Sequence, residues 1–317
     1  MGGMCTDLRL MRLDGRHVSA RTLDFATDLG STLQAVPRGQ EWSAAATGTA
    51  APALTWTNTL GFVAMEDQGL PGSFCDGLNE AGLSVANLEL PESQLPPEPP
   101  ATGSGFGSLD FVRLSSWLLG TCATVDDVRA ALGAVQLWNP PAELPPGHAL
   151  AGYRYAEHLA VHDAAGHDLV VEFPDGRTVL HDNPVGVVAN SPTYDQHLEN
   201  LRATGDPSDP PALLAAAPGD VRSRSRFLRA AALAQVAVPA GDDHDLVNQA
   251  FHCLDLVSVP RYLVATGDHT SWWVVRDHDR ATFYLRTYDS WTTAAYVLAD
   301  LDLRRPGPRR TLSRPPR

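Results

Sequence analysis

The chain has 317 residues, 44% of them hydrophobic, and no unbroken apolar run long enough to cross a bilayer, so it reads as a soluble globular protein with material for a large core. A formal charge of -13 argues against nucleic acid and against anionic membrane surfaces as partners, because both require a basic face. There is no lysine, so every side-chain cation other than histidine is an arginine. The opening MGGMCTDLRL lacks the apolar core of a secretory signal, and the expected compartment is the cytoplasm.

In chain order, the first expected element is a hairpin: alternation through Leu8 and Leu10 to Leu13, a turn at Asp14-Gly15, and a return from His17 to Phe25. A second β segment, Leu54 to Met65, precedes turn-rich Asp67 to Gly72, and a strand from Leu83 to Leu90 follows the turn at Asn79 to Gly82. Pro91 to Gly107, rich in Pro, Gly and Ser, reads as a surface loop. Ser108 to Leu119 has helical spacing, and a second helix runs from its N-cap at Thr124 to Leu132. After the proline-rich stretch Asn139 to Pro146 come three strands, His158 to His162, Asp168 to Phe173 and Thr178 to His181, with turns at Ala165-Gly166 and Asp175-Gly176. Tyr194 to Arg202, Arg224 to Val236 and Asp245 to Leu256 read as helices. A last hairpin joins Ser271 to Val275 with Thr282 to Tyr288 across Asp277 to Arg280. Runs of hairpins alternating with runs of helices point to antiparallel sheets layered with helices, not to a doubly wound parallel fold. No GxGxxG, P-loop, HExxH or GxSxG motif is present.

Four cysteines are scattered at positions 5, 75, 122 and 253, without the pairing of a zinc site or the density of a disulfide framework. Cys75, Cys122 and Cys253 read as buried, inert thiols. Histidines 158, 162, 167 and 181 lack ligand spacing on one face and read as surface strand positions. Cys5 has an option that no internal residue has. If the residues before it are removed, its own α-amine, with a pKa near ~8, becomes a general base beside a strongly nucleophilic thiol. Position alone favours the plainer reading, a small buried side chain, as free cysteines usually are.

The residues downstream of Cys5 favour the chemistry. Cys5-Thr6, Asp14-Gly15 and Arg21-Thr22-Leu23-Asp24-Phe25 resemble the opening of the choloylglycine hydrolase family, which includes penicillin V acylases and conjugated bile-salt hydrolases. The resemblance continues through Asp76 to Leu83, Asn190 to Asp195 with Asn200-Leu201, Pro218-Gly219-Asp220 with Ser225-Arg226-Phe227, and Phe283 to Tyr288.

That resemblance implies an α+β fold, a four-layer αββα sandwich of two antiparallel sheets between helical layers. It implies a single catalytic domain over 5–317, with residues 1–4 removed as initiator or propeptide. The substrate would be a small-molecule N-acyl amide, no metal or organic cofactor would be needed, and the assembly would be a homo-oligomer, a homotetramer.

The resemblance also assigns roles. Cys5 would be the nucleophile, Arg21 a cation lowering the thiol pKa, and Asp24 an acceptor for the new α-ammonium. Arg21 and Asp24 lie three apart on one strand, so their side chains are expected on opposite faces. Asn190 would offer its amide to the oxyanion, together with the backbone N–H at Glu89. Arg226 would be a second cation near the thiol, against the alternative of a helix-surface arginine, and Leu23 a pocket residue. Glu89 stands where the family carries Asn or Tyr, which argues against efficient cleavage of anionic bile-salt conjugates. The wording Arg21 to Asp24 is closer to the acylase branch, with bile salts and N-acyl homoserine lactones as alternatives. Two other readings stay open: an N-terminal-cysteine acyltransferase, and an unprocessed homologue without catalysis.

Overall fold

A computed structural model of the protein describes residues 4–27, 29–46, 52–67, 70–98, 107–141, 154–236 and 241–316. The strands in chain order are β1 (Thr6–Met11), β2 (His17–Phe25), β3 (Thr32–Val36), β4 (Glu41–Ser43), β5 (Thr55–Thr57), β6 (Phe62–Glu66), β7 (Phe74–Asn79), β8 (Ser84–Glu89) and β9 (Gly107–Asp110). They continue as β10 (Val135–Trp138), β11 (Glu157–His162), β12 (Asp168–Glu172), β13 (Val179–Asp182), β14 (Val187–Ala189), β15 (His269–Asp277), β16 (Thr282–Thr287), β17 (Thr293–Val297) and β18 (Arg310–Thr311). The α-helices are α1 (Leu114–Thr121), α2 (Val125–Leu132), α3 (Tyr194–Thr204), α4 (Pro210–Ala216), α5 (Ser223–Ala234) and α6 (Asp243–Asp255).

Two large antiparallel sheets form the middle of the molecule. One has six strands in the order β14-β1-β2-β15-β16-β17, the other eight in the order β13-β12-β11-β8-β7-β6-β3-β18. Helices α5 and α6 cover the outer face of the first, and α1 covers β7 and β8 of the second. This is the αββα sandwich expected from the sequence. The layering explains the burial of β2. All nine of its residues are buried, because one face meets the second sheet and the other meets helices.

Local chemistry sets several of these elements. The β1–β2 hairpin turns through Gly15, whose φ of +90° is a conformation that favours glycine, while the Arg12 N–H donates to the Arg16 carbonyl. Helix α2 starts on a capping box: the Thr124 hydroxyl accepts from the Asp127 N–H, and the Asp127 carboxylate accepts from the Thr124 N–H.

Several expectations are corrected. The helix anticipated from Ser108 begins only at Leu114; Gly107–Asp110 is strand β9, paired in parallel with β10, and Phe111–Arg113 is a 3-10 turn. The spacing of Leu109 and Val112 fits a helix, but Ser108 to Asp110 pair with residues 28 positions downstream, beyond the reach of a local pattern. The segment Leu54 to Met65 is two strands in different sheets, β5 and β6. His158 and His162 are buried rather than on the surface, because β11 lies between β8 and β12 and carboxylates meet both rings. Gly107 belongs to β9 rather than to the loop before it, and positions 99–106 of that loop and 142–146 of the proline-rich stretch lie outside the described residues.

Candidate active site

Cys5 stands immediately before β1, at the edge of the gap between the sheets. Alternation along β1 and β2 then sorts the neighbouring side chains. Odd positions on β2, including Arg21 and Leu23, face the second sheet; even positions, Thr22 and Asp24, face the helical layer. Arg21 and Asp24 do point to opposite faces, as expected, and they reach Cys5 from two sides.

On the thiol side, the Arg21 Nη2 lies 3.6 Å from the Cys5 Sγ. The guanidinium is almost wholly buried. It donates to the carbonyls of Cys75 and Asn87 on the second sheet, lies 3.3 Å from the Asp76 carboxylate, and stacks 5.3 Å from the Trp272 ring centroid. Burial pushes the Cys5 thiol pKa up, while the Arg21 charge and the Asp24 N–H pull it down. With the thiol enclosed, any lowering of its pKa rests on these two donors.

On the backbone side, Arg226 has no exposed surface. Its Nη1 donates to the Cys5 carbonyl at 2.5 Å and to the Thr6 hydroxyl, and its Nη2 to the Asn190 Oδ1 at 3.0 Å. The Asp24 carboxylate lies 3.9 Å from the same guanidinium and accepts hydrogen bonds from the Thr22 and Thr270 hydroxyls. The helix-surface reading of Arg226 is overturned. Positions 222 and 224 are exposed, but position 226 faces β1 and β14 from inside α5. Burial raises the Asp24 pKa to about 7, against the pull of Arg226.

Asn190 follows β14, which pairs with β1 and so brings residue 190 beside residue 5. Its Oδ1 accepts from the Cys5 N–H and from Arg226, which fixes the amide orientation and turns Nδ2 to the Glu89 carbonyl at 2.8 Å. The Asn190 carbonyl is held by the Ser223 hydroxyl at 2.8 Å and by the His197 ring at 2.7 Å. Glu89 closes β8 and pairs across the ladder with Glu157 of β11.

These groups border a small, narrow cavity lined by Cys5, Arg21, Leu23, Phe25, Leu29, Asp67, Cys75, Asn87, Glu89, Tyr155 and Glu157. Cys5, Arg21, Asp24, Asn190, Arg226, Glu89 and Leu23, all singled out in the sequence, therefore converge on one place. Sequence reasoning missed Thr22, Thr270, Asp76, Asp67, Asn87, Tyr155 and Glu157. Asp76 was signalled by its place at the head of the Asp76 to Leu83 motif. Glu157 and Asp67 carried no local signal, because only the β8–β11 and β6–β7 pairings deliver them to the cavity. Cys75 is buried, as expected, but it lines the cavity rather than a distant core, and its thiol pKa is pushed well up by burial.

The likeness to known proteins runs along nearly the whole chain. The sequence profile of the linear amide C–N hydrolases of the choloylglycine hydrolase family matches residues 5–310. A bile salt hydrolase/transferase of Bifidobacterium longum is 28% identical over 95% of this chain and 97% of its own. A penicillin V acylase of Pectobacterium atrosepticum is 30% identical over 67% of this chain and 54% of its own. Among solved structures, penicillin V acylase from Agrobacterium tumefaciens superposes with a TM-score of 0.79 at 25% identity, covering 96% of this chain and 90% of that one. A conjugated bile acid hydrolase from Clostridium perfringens gives the same TM-score at 23% identity, covering 98% and 97%, which bears on the fold. The chain is a member of the choloylglycine hydrolase family and a hydrolase of carbon–nitrogen bonds in linear amides.

Proposed function

We propose that the protein is an acylase of the penicillin V acylase type, in which Cys5, as the first residue of the mature chain, attacks the substrate amide. The observation that carries this reading is the convergence on Cys5 of Arg21 at the thiol and of Asp24, Asn190 and Arg226 at the backbone.

Before removal of Met4, Cys5 N is a peptide N–H donating to Asn190, and the Met4 N–H donates to the Asp24 carbonyl. After removal, the Cys5 α-amine takes the thiol proton. The thiolate, stabilised by Arg21, attacks the amide carbonyl carbon. The tetrahedral oxyanion accepts from the second N–H of the Asn190 side chain and from the Glu89 backbone N–H, both held in place before the reaction starts. The C–N bond breaks as the α-ammonium returns its proton to the leaving amine. Water, deprotonated by the same amine, then attacks the thioester and releases the acid. Asp24, fixed by Thr22 and Thr270 beside Arg226, orients the amine without touching the reacting carbon.

The role of Cys5 is tested by replacing it with alanine and following amine release from a phenoxyacetyl amide. Turnover falls to background if the reading holds; retained turnover overturns it. The run Arg21-Thr22-Leu23-Asp24, closer in wording to the acylase branch than to the bile-salt branch, supports the acylase reading.

A further inference from the structure

Asp7 and Arg21 are direct cross-strand partners on β1 and β2, and both reach toward the second sheet. Opposite charges in that relation ordinarily stabilise a ladder by pairing with each other. Here their charges go elsewhere. Arg21 turns to the Cys5 thiol, the Asp76 carboxylate and the carbonyls of Cys75 and Asn87. Asp7 is taken by Arg276 and by His162, whose Nε2 lies 2.7 Å from its carboxylate.

Arg276 stands on β15 two residues beyond Val274, the position opposite Arg21. Alternation sends Trp272, Val274 and Arg276 to one face, and the Trp272 ring already lies against the Arg21 guanidinium. From there Arg276 reaches Asp7 through Nη2, while its Nη1 lies 3.5 Å from the Asp76 oxygen that Arg21 faces at 3.3 Å. All four side chains are buried. Burial raises the Asp76 pKa, and Arg276 opposes that rise more than Arg21 does. The groups nearby are His278, held neutral by burial beside Arg276, and Asp67, Glu157 and Cys75 near Arg21. Cys5 itself is faced by Arg21 and Asp24 from β2 and by Arg226 from α5.

Resting on the reading of Cys5 as nucleophile, we infer that Arg276 is a positioning residue: by holding Asp7, it keeps the Arg21 guanidinium on the Cys5 thiol instead of on its cross-strand carboxylate. A buried carboxylate is a stronger partner for a guanidinium than a thiol is, and a carboxylate robbed of its cation is costly to bury. Without Arg276, Asp7 keeps only His162 and draws Arg21 across the ladder. The thiolate then loses the cation beside it, although every residue that touches the reacting atoms is unchanged.

The test uses the mature enzyme carrying Arg276→Met, Asp7→Asn or both. It reads kcat and KM on a phenoxyacetyl amide, the pH profile of Cys5 alkylation by iodoacetamide mapped by mass, and the crystal structure of Arg276→Met. Arg276→Met is expected to move the alkylation profile up by about one pH unit or more and to lower kcat by about tenfold or more, with a smaller change in KM. In its structure Arg21 is expected on Asp7. Adding Asp7→Asn removes the competing carboxylate and is expected to undo most of both effects. Asp67, Glu157 and the α-amine are present in every variant, so the shift is read as a difference. An unmoved profile in Arg276→Met, or Arg21 still on the thiol, overturns the inference and leaves the hydrolase reading intact. So does a double variant as impaired as Arg276→Met alone. If Arg276→Met does not fold, it is added to Asp7→Asn instead; the profile is then expected to stay in place, and a shift of about one unit overturns the inference. Turnover that survives Cys5→Ala overturns the nucleophile reading, and the inference with it.

Discussion

Arg226 shows how one side chain is asked to do two things. It neutralises Asp24 and it holds the Cys5 carbonyl, Thr6 and Asn190 in a fixed arrangement. Removing it leaves the Asp24 carboxyl buried without its cation, so Arg226→Ala is expected to lower stability by about 3–5 kcal/mol, measured by denaturant unfolding. Asn190 behaves differently. Its Nδ2 is the proposed oxyanion donor, and Asn190→Ala is expected to lower kcat by about 10²–10³ with a smaller change in KM. The residues that a motif names were legible in the sequence: Cys5, Arg21, Asp24, Asn190 and Arg226 all stand in runs that resemble one family. Asp67 and Glu157 were not legible, because each sits in an ordinary strand or turn and acquires meaning only through a partner far away in sequence.

At the scale of elements, the fold was read best where local chemistry and long-range pairing agree. The β1–β2 hairpin has its Asp14-Gly15 turn, and α2 has its Thr124 cap. It was read worst where they conflict, at Ser108 to Asp110, whose apolar spacing suits a helix but which pair with β10 on one side and, through Ser108, with Pro52 and Leu54 on the other. Strand β7 went unread between two turn-rich stretches, although Phe74, Leu78 and the close-packed Gly77 are all buried. Two glycines separate conformation from packing. Both have positive φ, +84° at Gly82 and +90° at Gly15, but a Cβ at Gly82 would lie 2.4 Å from the His278 carbonyl oxygen, whereas one at Gly15 would meet nothing within 4 Å. Gly15→Ala is therefore expected to cost about 1–2 kcal/mol and Gly82→Ala clearly more, with backbone strain and overpacking added. Equal losses in the two variants, measured by chemical denaturation, would contradict this distinction.

At the scale of the whole molecule, one connected set of charges lies buried between the two sheets. Asp7 lies against Arg276 and 2.7 Å from His162, which is also 2.7 Å from Asp168; Arg276 in turn faces Asp76, the partner of Arg21. The two neighbouring carboxylates raise the His162 pKa to about 9 despite burial. These shifts set the sign of the pH dependence. Between about pH 4 and 8 the folded chain keeps protons on Asp67 and Glu157 that the unfolded chain releases, so this stabilisation is complete at low pH and is lost as pH rises through about 6 and 8. His162, whose unfolded pKa is about 6.5, adds stabilisation that is full below that value and is lost as pH rises through about 9. Glu172, held at about 2 by His158 and His181, works in the opposite direction, and its contribution disappears only in strong acid. The thermal midpoint is therefore expected to be highest in mild acid and to decline from about pH 5 to 9. Glu157→Gln should flatten the decline near pH 8; an unchanged slope would contradict the assignment.

The role of Cys5 as terminal nucleophile is tested most directly by the intact mass of purified enzyme, quenched with acid during turnover of a phenoxyacetyl amide. The expected species is a polypeptide beginning at Cys5 and carrying one acyl group, with the adduct absent in Cys5→Ala. A chain that turns over substrate while still bearing Met4, or an adduct that persists when Cys5 is replaced, would contradict that role.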